Sequence, residues 1–391
     1  MSPEDPVVIC GAGAAGIAAA LAVGQSGSQA ILVEKSARIG GTVVKALIHT
    51  IGGLYDSEGA YLNLGLPKEL AERLLKESPL THKRKMGRVW TLSVDPQIYA
   101  HVVESWLTEF QNIAIKLQTR AKTLKVQDGT IQSVTLSSHG RTRVVKPKAL
   151  IDTTGSAELV RLADPERVLE SEQQAAAGLI FSMNGVEPGA LKFPNSIELV
   201  RNLRRAAENG ELPPDCAMAW VDIGTKEGES YIKLFVPLSS DSRNPPKLAS
   251  VTRKAHATRD RVVQFLQKQP AFSQAQLIQT GSIGIRDAGR VVGEYTLSGA
   301  DVIAGQKFND TAGKCCWPIE YWHPTTGVSL QYLPPGQFYE IPLRALKVKG
   351  YANLWAAGKC LSADHVARAS ARVAGCCWAM GEAAGNIAAQ Q

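Results

Sequence analysis

The chain has 391 residues, 45% of them apolar and 20% charged, with 35 Gly, 20 Pro and 7 Cys. A chain of this length buries about three quarters of its unfolded surface, so one large core with a second lobe, or two domains, is expected; disorder, a collagen-like repeat and a disulfide miniprotein are excluded. The net charge is +7, but the basic residues are scattered (Lys83-Arg84-Lys85, Arg141/Arg143/Lys146/Lys148, Arg204-Arg205) with no dense basic helix, so nucleic acid is not the expected partner.

The first element is a short apolar strand, Val7–Cys10, followed by Gly11-Ala12-Gly13-Ala14-Ala15-Gly16 and an Ala-rich helix to about Val23. A second strand, Ala30–Val33, ends on Glu34. The apolar run begins after Glu4-Asp5 rather than after basic residues and carries its glycines in a turn pattern, so no signal peptide is expected. No later run is long and apolar enough for a membrane helix. The cysteines, including the adjacent pairs Cys315-Cys316 and Cys376-Cys377, suit neither a disulfide framework nor a zinc site, and the histidines are scattered. A reduced, cytoplasmic protein without a metal or membrane partner is the expectation.

Asp95-Pro96 has the form of a helix start, Asp as cap and Pro at the first helical position, and the helix runs to about Phe110. Short strands near 113–117, 121–127, 131–137 and 142–146, with turns at Asp128-Gly129 and His139-Gly140, predict a β-meander. Ala149–Asp152 is a buried strand running into Thr153-Thr154-Gly155. Residues 165–335 are mixed, with strands near 178–183 and 231–237, an amphipathic helix over 247–268, and a Gly-, Pro- and aromatic-rich irregular region over 304–338. A strand at Leu354–Ala357, the turn at Gly358 and a small-residue helix over about 371–389 close the chain.

The strand–turn–helix–strand–acid unit is the strongest signal. Gly11 permits a tight turn, Gly13 lets backbone approach a pyrophosphate, Gly16 lets the helix pack closely on the sheet, and Glu34 is placed to accept from a ribose diol. That unit alone does not choose between nicotinamide and flavin dinucleotides. Gly40-Gly41-Thr42, Thr154-Gly155 and Gly358 add further close-approach turns at the carboxyl edge of one sheet, and so many turns from across the chain suit an extended ligand such as FAD.

The stretches Val8–Gly16, Glu34–Thr42, Asp152–Gly155, Gly284–Tyr295, Tyr339–Arg344 and Leu354–Gly385 resemble the FAD-dependent oxidoreductase family of glutathione-reductase-like flavoproteins, near the succinate dehydrogenase/fumarate reductase type. The resemblance implies an α/β protein: a Rossmann-like FAD-binding domain, three-layered with a parallel sheet plus β-meander, and an inserted mixed α+β substrate or cap domain. The expected division is 1–95, 110–165 and 335–391 for the discontinuous FAD domain, 95–110 as a connecting helix, and 166–334 for the insertion. The resemblance also implies FAD contacts at Gly11, Gly13, Ala14, Ala15, Gly16, Glu34, Lys35, Arg38, Gly40, Gly41, Thr42, Ala121, Lys122, Thr154, Gly155, Gly358, Arg372 and Val373. Non-covalent FAD is expected, with attachment at His49 as the alternative.

For catalysis the candidates are His49, Arg286, His365 and Arg372. Proton transfer, covalent flavin attachment and a hydrogen-bonded core role are all open to His49. Arg286 and Arg290 offer carboxylate clamps or a structural pair with Asp287 or Glu294. His365 and Arg368 are expected in a loop after Gly358 that faces the flavin, where a site role and a structural one are both open. Glu320, Tyr321, Trp322 and His323 are read either as pocket lining or as lid packing. Cys376-Cys377 is read as buried thiols, a vicinal disulfide being strained. The expected activity is oxidation or dehydrogenation of a small organic substrate (an amine, amino acid or hydroxy acid) by hydride transfer to the flavin. No second GxGxxG motif with an acid is present to hold a nicotinamide. A flavin monooxygenase, an RNA-associated FAD protein and a non-catalytic flavin-binding scaffold are the alternatives; the oligomeric state is open.

Overall fold

A computed structural model describes residues 5–170, 174–239 and 244–391; Glu4 lies outside them. Four-residue apolar strands such as Val7–Cys10 are buried on both faces, as parallel strands covered from two sides must be. Five short strands form one parallel sheet in the order Leu354–Ala356, Ala149–Asp152, Val7–Cys10, Ala30–Val33, Ile113–Lys116, the last a partly exposed edge. Val7 sits in register with both Ala30 and Ala149.

The alternation within Val7–Cys10 separates two cores. Val7 and Ile9 point into a cluster with Ile17, Leu21, Trp106 and Trp378, while Val8 and Cys10 join Ile131, Val134, Leu136 and Val145 of the meander. The parallel sheet is therefore the middle of three layers. The helix Ala14–Gln25 is buried almost throughout, packed against both the sheet and the final helix, Ala374–Gln390, which also reaches the strand Ala149–Asp152. Small residues make this approach feasible: a Cβ on Gly381 would lie 2.1 Å from the Ala15 carbonyl oxygen, and one on Gly385 2.5 Å from that of Ala19.

The helix at Pro96–Thr108 starts as its sequence predicts, with the Asp95 carboxylate accepting from the Gln97 N–H. The meander has three strands, Thr119–Gln127, Thr130–Ser138 and Arg141–Val145. Both connecting dipeptides, Asp128-Gly129 and His139-Gly140, have positive φ at each residue, the backbone that two-residue hairpins demand. The segment near 113–117, expected in the meander, instead extends the parallel sheet from Ala30–Val33. Residues 304–338 are not irregular throughout: Thr311–Cys315 pairs with Tyr339–Pro342, and Ile319–His323 with Gly327–Gln331. Leu297, Val302, Ala312, Cys315 and Ile319, expected in the insertion, pack into the first core.

A separate antiparallel sheet, ordered Trp220–Ile223, Ser230–Val236, Ala177–Asn184, Gln276–Thr280, has two unlike faces. Leu179, Phe181, Ile232 and Leu234 pack in an apolar cluster that also holds Leu199, Leu203, Val262 and Leu266 of the helices Asn195–Glu208 and Pro245–Gln267. The alternate positions are Gly178, Ile180, Tyr231, Lys233, Trp220 and Asp222, with Lys233 opposite Trp220 and Tyr231 opposite Asp222. Among the described residues, no helix is long and apolar enough to cross a membrane.

Gly381→Ala is expected to lower the unfolding free energy by about 1–3 kcal/mol through overpacking against Ala15. A urea midpoint unchanged from the parent would contradict the close helix–helix approach.

Candidate functional site

The carboxyl ends of the parallel strands meet through backbone. The Gly11 N–H donates to the Val33 carbonyl at 2.7 Å, Thr153 N–H to Cys10 at 2.9 Å, and Ala357 N–H to Asp152 at 3.0 Å. A Cβ on Gly11 would lie 2.4 Å from the Thr153 carbonyl oxygen, and one on Gly41 2.6 Å from the Gly13 Cα. Asp152, fully buried, accepts from Leu159 N–H at 2.8 Å and Thr154 Oγ1 at 2.7 Å, fixing the Thr153–Gly155 turn. Burial pushes its carboxyl above the usual range despite these bonds.

Between these turns lies a cavity of about 500 Å³. Gly11, Gly13, Ala14, Ala15, Glu34, Lys35, Gly41, Thr42, Ala121, Thr154, Gly155, Gly358 and Arg372 line it, so these expected contacts are brought together. Gly16 and Gly40 stand behind the lining: a Cβ on Gly16 would meet the Gly11 carbonyl oxygen at 1.8 Å, and Gly40 has φ 101° against Val44. Three expected contacts, Arg38, Lys122 and Val373, are not among the lining residues. Arg38 is exposed and donates to Gln97 Oε1 at 2.8 Å, Lys122 is exposed, and the Val373 side chain packs towards Gly53.

Glu34 holds its own turn. Its Oε2 accepts from the Ala12 N–H at 3.0 Å, while Oε1 accepts from Ser36 and from Lys45 Nζ at 2.8 Å. Burial would raise the Glu34 carboxyl, but Lys45 and the backbone N–H donors outweigh it and hold the group below its ordinary value. Lys45 and Lys359, which also line the cavity, have no motif to announce them.

His49 is 6% exposed, with Nε2 3.0 Å from Asp222 Oδ2 and its ring stacked 3.9 Å from Tyr231. Its Nδ1 is buried without a hydrogen-bond partner among the described residues. Asp222 also accepts from Arg84. Burial opposes ionisation of Asp222, but His49 and Arg84 bring its carboxyl down to about 2.

Arg286 and Arg372 converge with Lys233 and Glu320. Burial, then Arg286, pushes the Lys233 ammonium down to about 7. Burial would raise Glu320, yet Lys233, Arg372, the Trp317 indole and Arg286 bring it down to about 2. Lys233 and Asp222 escaped the sequence reading; the alternation Tyr231-Ile232-Lys233-Leu234 was the available signal, since it sets Lys233 opposite the apolar face.

Two expectations are corrected. His365 is not in a loop beside the cavity: it is exposed at the start of the helix His365–Ala371. Arg368, in the same helix, is fully buried and paired with Asp287 at 2.8 Å, and Asp287 in turn accepts from the Ala175 N–H. The pair once open to Arg286 is thus made by Arg368. Cys376 and Cys377 diverge, Cys376 Sγ lying 2.6 Å from Cys315 Sγ and Cys377 Sγ 3.3 Å from the Arg372 carbonyl oxygen.

Over residues 6–391 the chain matches the family model described as FAD dependent oxidoreductase. No curated protein matches it. Among solved structures, it is similar to a geranylgeranyl bacteriochlorophyll reductase-like protein from Thermoplasma acidophilum, at 13% identity and TM-score 0.50, covering 99% of this chain and 77% of that one. It also aligns with a flavin-dependent brominase at 12% identity and TM-score 0.49, covering 99% of this chain and 81% of that one. A p-nitrophenol 4-monooxygenase from Pseudomonas putida DLL-E4 aligns at 10% identity and TM-score 0.42, covering 75% and 71%. The first of these likenesses is one of fold alone.

Removing one partner of a buried ion pair strands the other, so Arg368→Met is expected to cost about 3–5 kcal/mol of stability. An unchanged denaturation midpoint would return Arg368 to the candidate site residues.

Proposed function

The chain belongs to the FAD dependent oxidoreductase family, and from that premise we propose that it oxidises a small organic substrate, such as an amine, amino acid or hydroxy acid, by hydride transfer to FAD. The glycine cradle supports the cofactor's fit, because side chains at Gly11 and Gly41 would occupy the space between facing turns. In this reading Glu34 holds the adenosine ribose and backbone at Ala121 meets the adenine. The N–H groups of Gly13–Ala15 at a helix start, with Gly155 and Gly358, hold the pyrophosphate. The first N–H groups of the helix Ala374–Gln390, beside Arg372, face the flavin's pyrimidine edge. FAD, when bound, supplies a two-electron acceptor for hydride.

The observation that carries the proposal is the His49–Asp222 pair. Asp222 holds Nε2, which leaves the imidazole Nδ1 as a buried acceptor without a partner among the described residues. His49 follows Lys45 and Ala46 of the cavity wall by a few residues. It takes the proton from the substrate's N–H or O–H at Nδ1 as the adjacent carbon gives up hydride. Asp222, ionised through the neutral range, stabilises the imidazolium that forms. Tyr231, stacked on the ring, keeps its plane fixed. The flavin is held without a covalent bond.

Anaerobic mixing with candidate amines, amino acids and hydroxy acids is expected to bleach the flavin without a nicotinamide. Bleaching that requires NAD(P)H would replace this reading with a monooxygenase. His49→Gln is expected to slow anaerobic reduction by about 100- to 10,000-fold while flavin content stays the same. A variant that reduces at the parent rate would remove His49 from proton transfer.

A further inference from the structure

We propose that a small organic carboxylate binds between Lys233, Arg286 and Arg372 beside Trp322, and that it is the acid group of the substrate; this rests on the oxidoreductase reading above. Three cations from separate parts of the chain gather here around one carboxylate, Glu320. Lys233 Nζ lies 3.8 Å from the Trp322 ring centroid and Arg286 Cζ 3.9 Å from the same centroid. Gly178, on the same sheet face, leaves them room: a Cβ there would stand 3.4 Å from Arg286 Nη2 and 3.6 Å from Lys233 Cε.

The internal anion does not neutralise them. Both oxygens of Glu320 are taken by indoles, Oε2 by Trp317 Nε1 at 3.0 Å and Oε1 by Trp322 Nε1 at 2.5 Å. Among the described residues, none of the three cations makes an ion pair within 4.0 Å. Arg286 donates to the Ala176 carbonyl at 2.5 Å and Arg372 to the Glu320 carbonyl at 2.8 Å, while the Arg372 Nε is buried without a partner among the described residues. Asp222, the next carboxylate along the sheet face, is occupied by His49 and Arg84. Three positive charges against one negative leave an excess that is costly to hold away from water unless an anion completes it.

The donors suit a carboxylate, since two guanidinium forks and an ammonium provide planar paired contacts and a point charge. The place suits a substrate. Arg372 lines the cavity, as do Ile285 and Ala288 on either side of Arg286 in the chain. Of the three cations Arg372 alone lines the cavity, so it is the link between the acid group and the rest of the substrate.

Binding is coupled to protonation. The charged groups acting on Lys233 are Arg286, Glu320, Arg372 and Asp222, and its sheet neighbours Trp220 and Ile180 do not titrate. Its ammonium is pushed down to about 7, so a bound carboxylate draws a proton onto it. Above that pH, affinity falls by about tenfold per unit, the slope of one linked proton.

The test uses the flavin-loaded protein, with acetate and benzoate as probes at constant ionic strength, read by tryptophan fluorescence and by perturbation of the flavin spectrum. Saturable binding of both acids is expected, weakening from pH 7 to pH 9. Arg286→Met is expected to weaken it by more than about tenfold, the loss of one charge-assisted contact. Lys233→Arg separates this site from a merely structural one: binding persists and the fall that begins near pH 7 disappears, leaving only the loss near pH 9 where burial and Arg372 push the Arg286 guanidinium. A flavin-loaded protein that binds neither acid, or whose binding ignores both substitutions, overturns the inference alone. A protein that takes up no FAD overturns the function proposed above.

Discussion

The structure depends on backbone meeting backbone at the carboxyl edge of the parallel sheet. Gly11 against Thr153, and Gly13 against Gly41, are contacts in which a single Cβ would have to displace main chain. Thr153 reinforces the first, its hydroxyl donating to the Cys10 and Gly11 carbonyls at 2.9 and 2.7 Å. The Gly40 N–H closes on the Ala12 carbonyl at 2.8 Å and brings the second glycine pair over the first turn. From this constraint follow the cavity, its N–H-rich walls and the orientation of Glu34, because each strand end is held by its neighbour's main chain.

The second organising feature is a sheet whose two faces have different tasks. One face carries Leu179, Phe181, Ile232 and Leu234 into an apolar cluster and supplies the hydrophobic stabilisation. The other places Asp222, Tyr231 and Lys233 against His49, Arg286 and Glu320, partners from distant parts of the chain. Strand periodicity makes this division compulsory: a slip of one residue would exchange the two sets. Rigid strands thus hold the charged groups that the proposed chemistry uses, while the turns form the cavity proposed for the cofactor.

How much was legible in sequence follows from the same physics. A backbone site demands glycine, and glycine is visible in a sequence, so Gly11, Gly13, Gly41, Gly155 and Gly358 mark the cavity wall from the sequence alone. Asp95 and the Asp128-Gly129 turn were equally open to reading, because capping and positive φ are local requirements. Lys233 and Asp222 were not, since a lone charge in an alternating strand is the usual mark of a solvent face. Ile113–Lys116 had the right conformation but the wrong partner, for local alternation does not say which sheet a strand joins. Arg368 and His365 were exchanged in importance by a helix that follows the Asp364 cap, which buries one and exposes the other. The hairpin Ile319–His323 with Gly327–Gln331 was hidden by the glycines and prolines around it.

The central claim is that the glycine turns hold FAD. The visible spectrum of the purified protein, recorded before and after denaturation, tests it most directly. The account predicts a flavin spectrum at one FAD per chain, with all of the flavin released when the chain unfolds. A colourless protein that takes up no added FAD would contradict it.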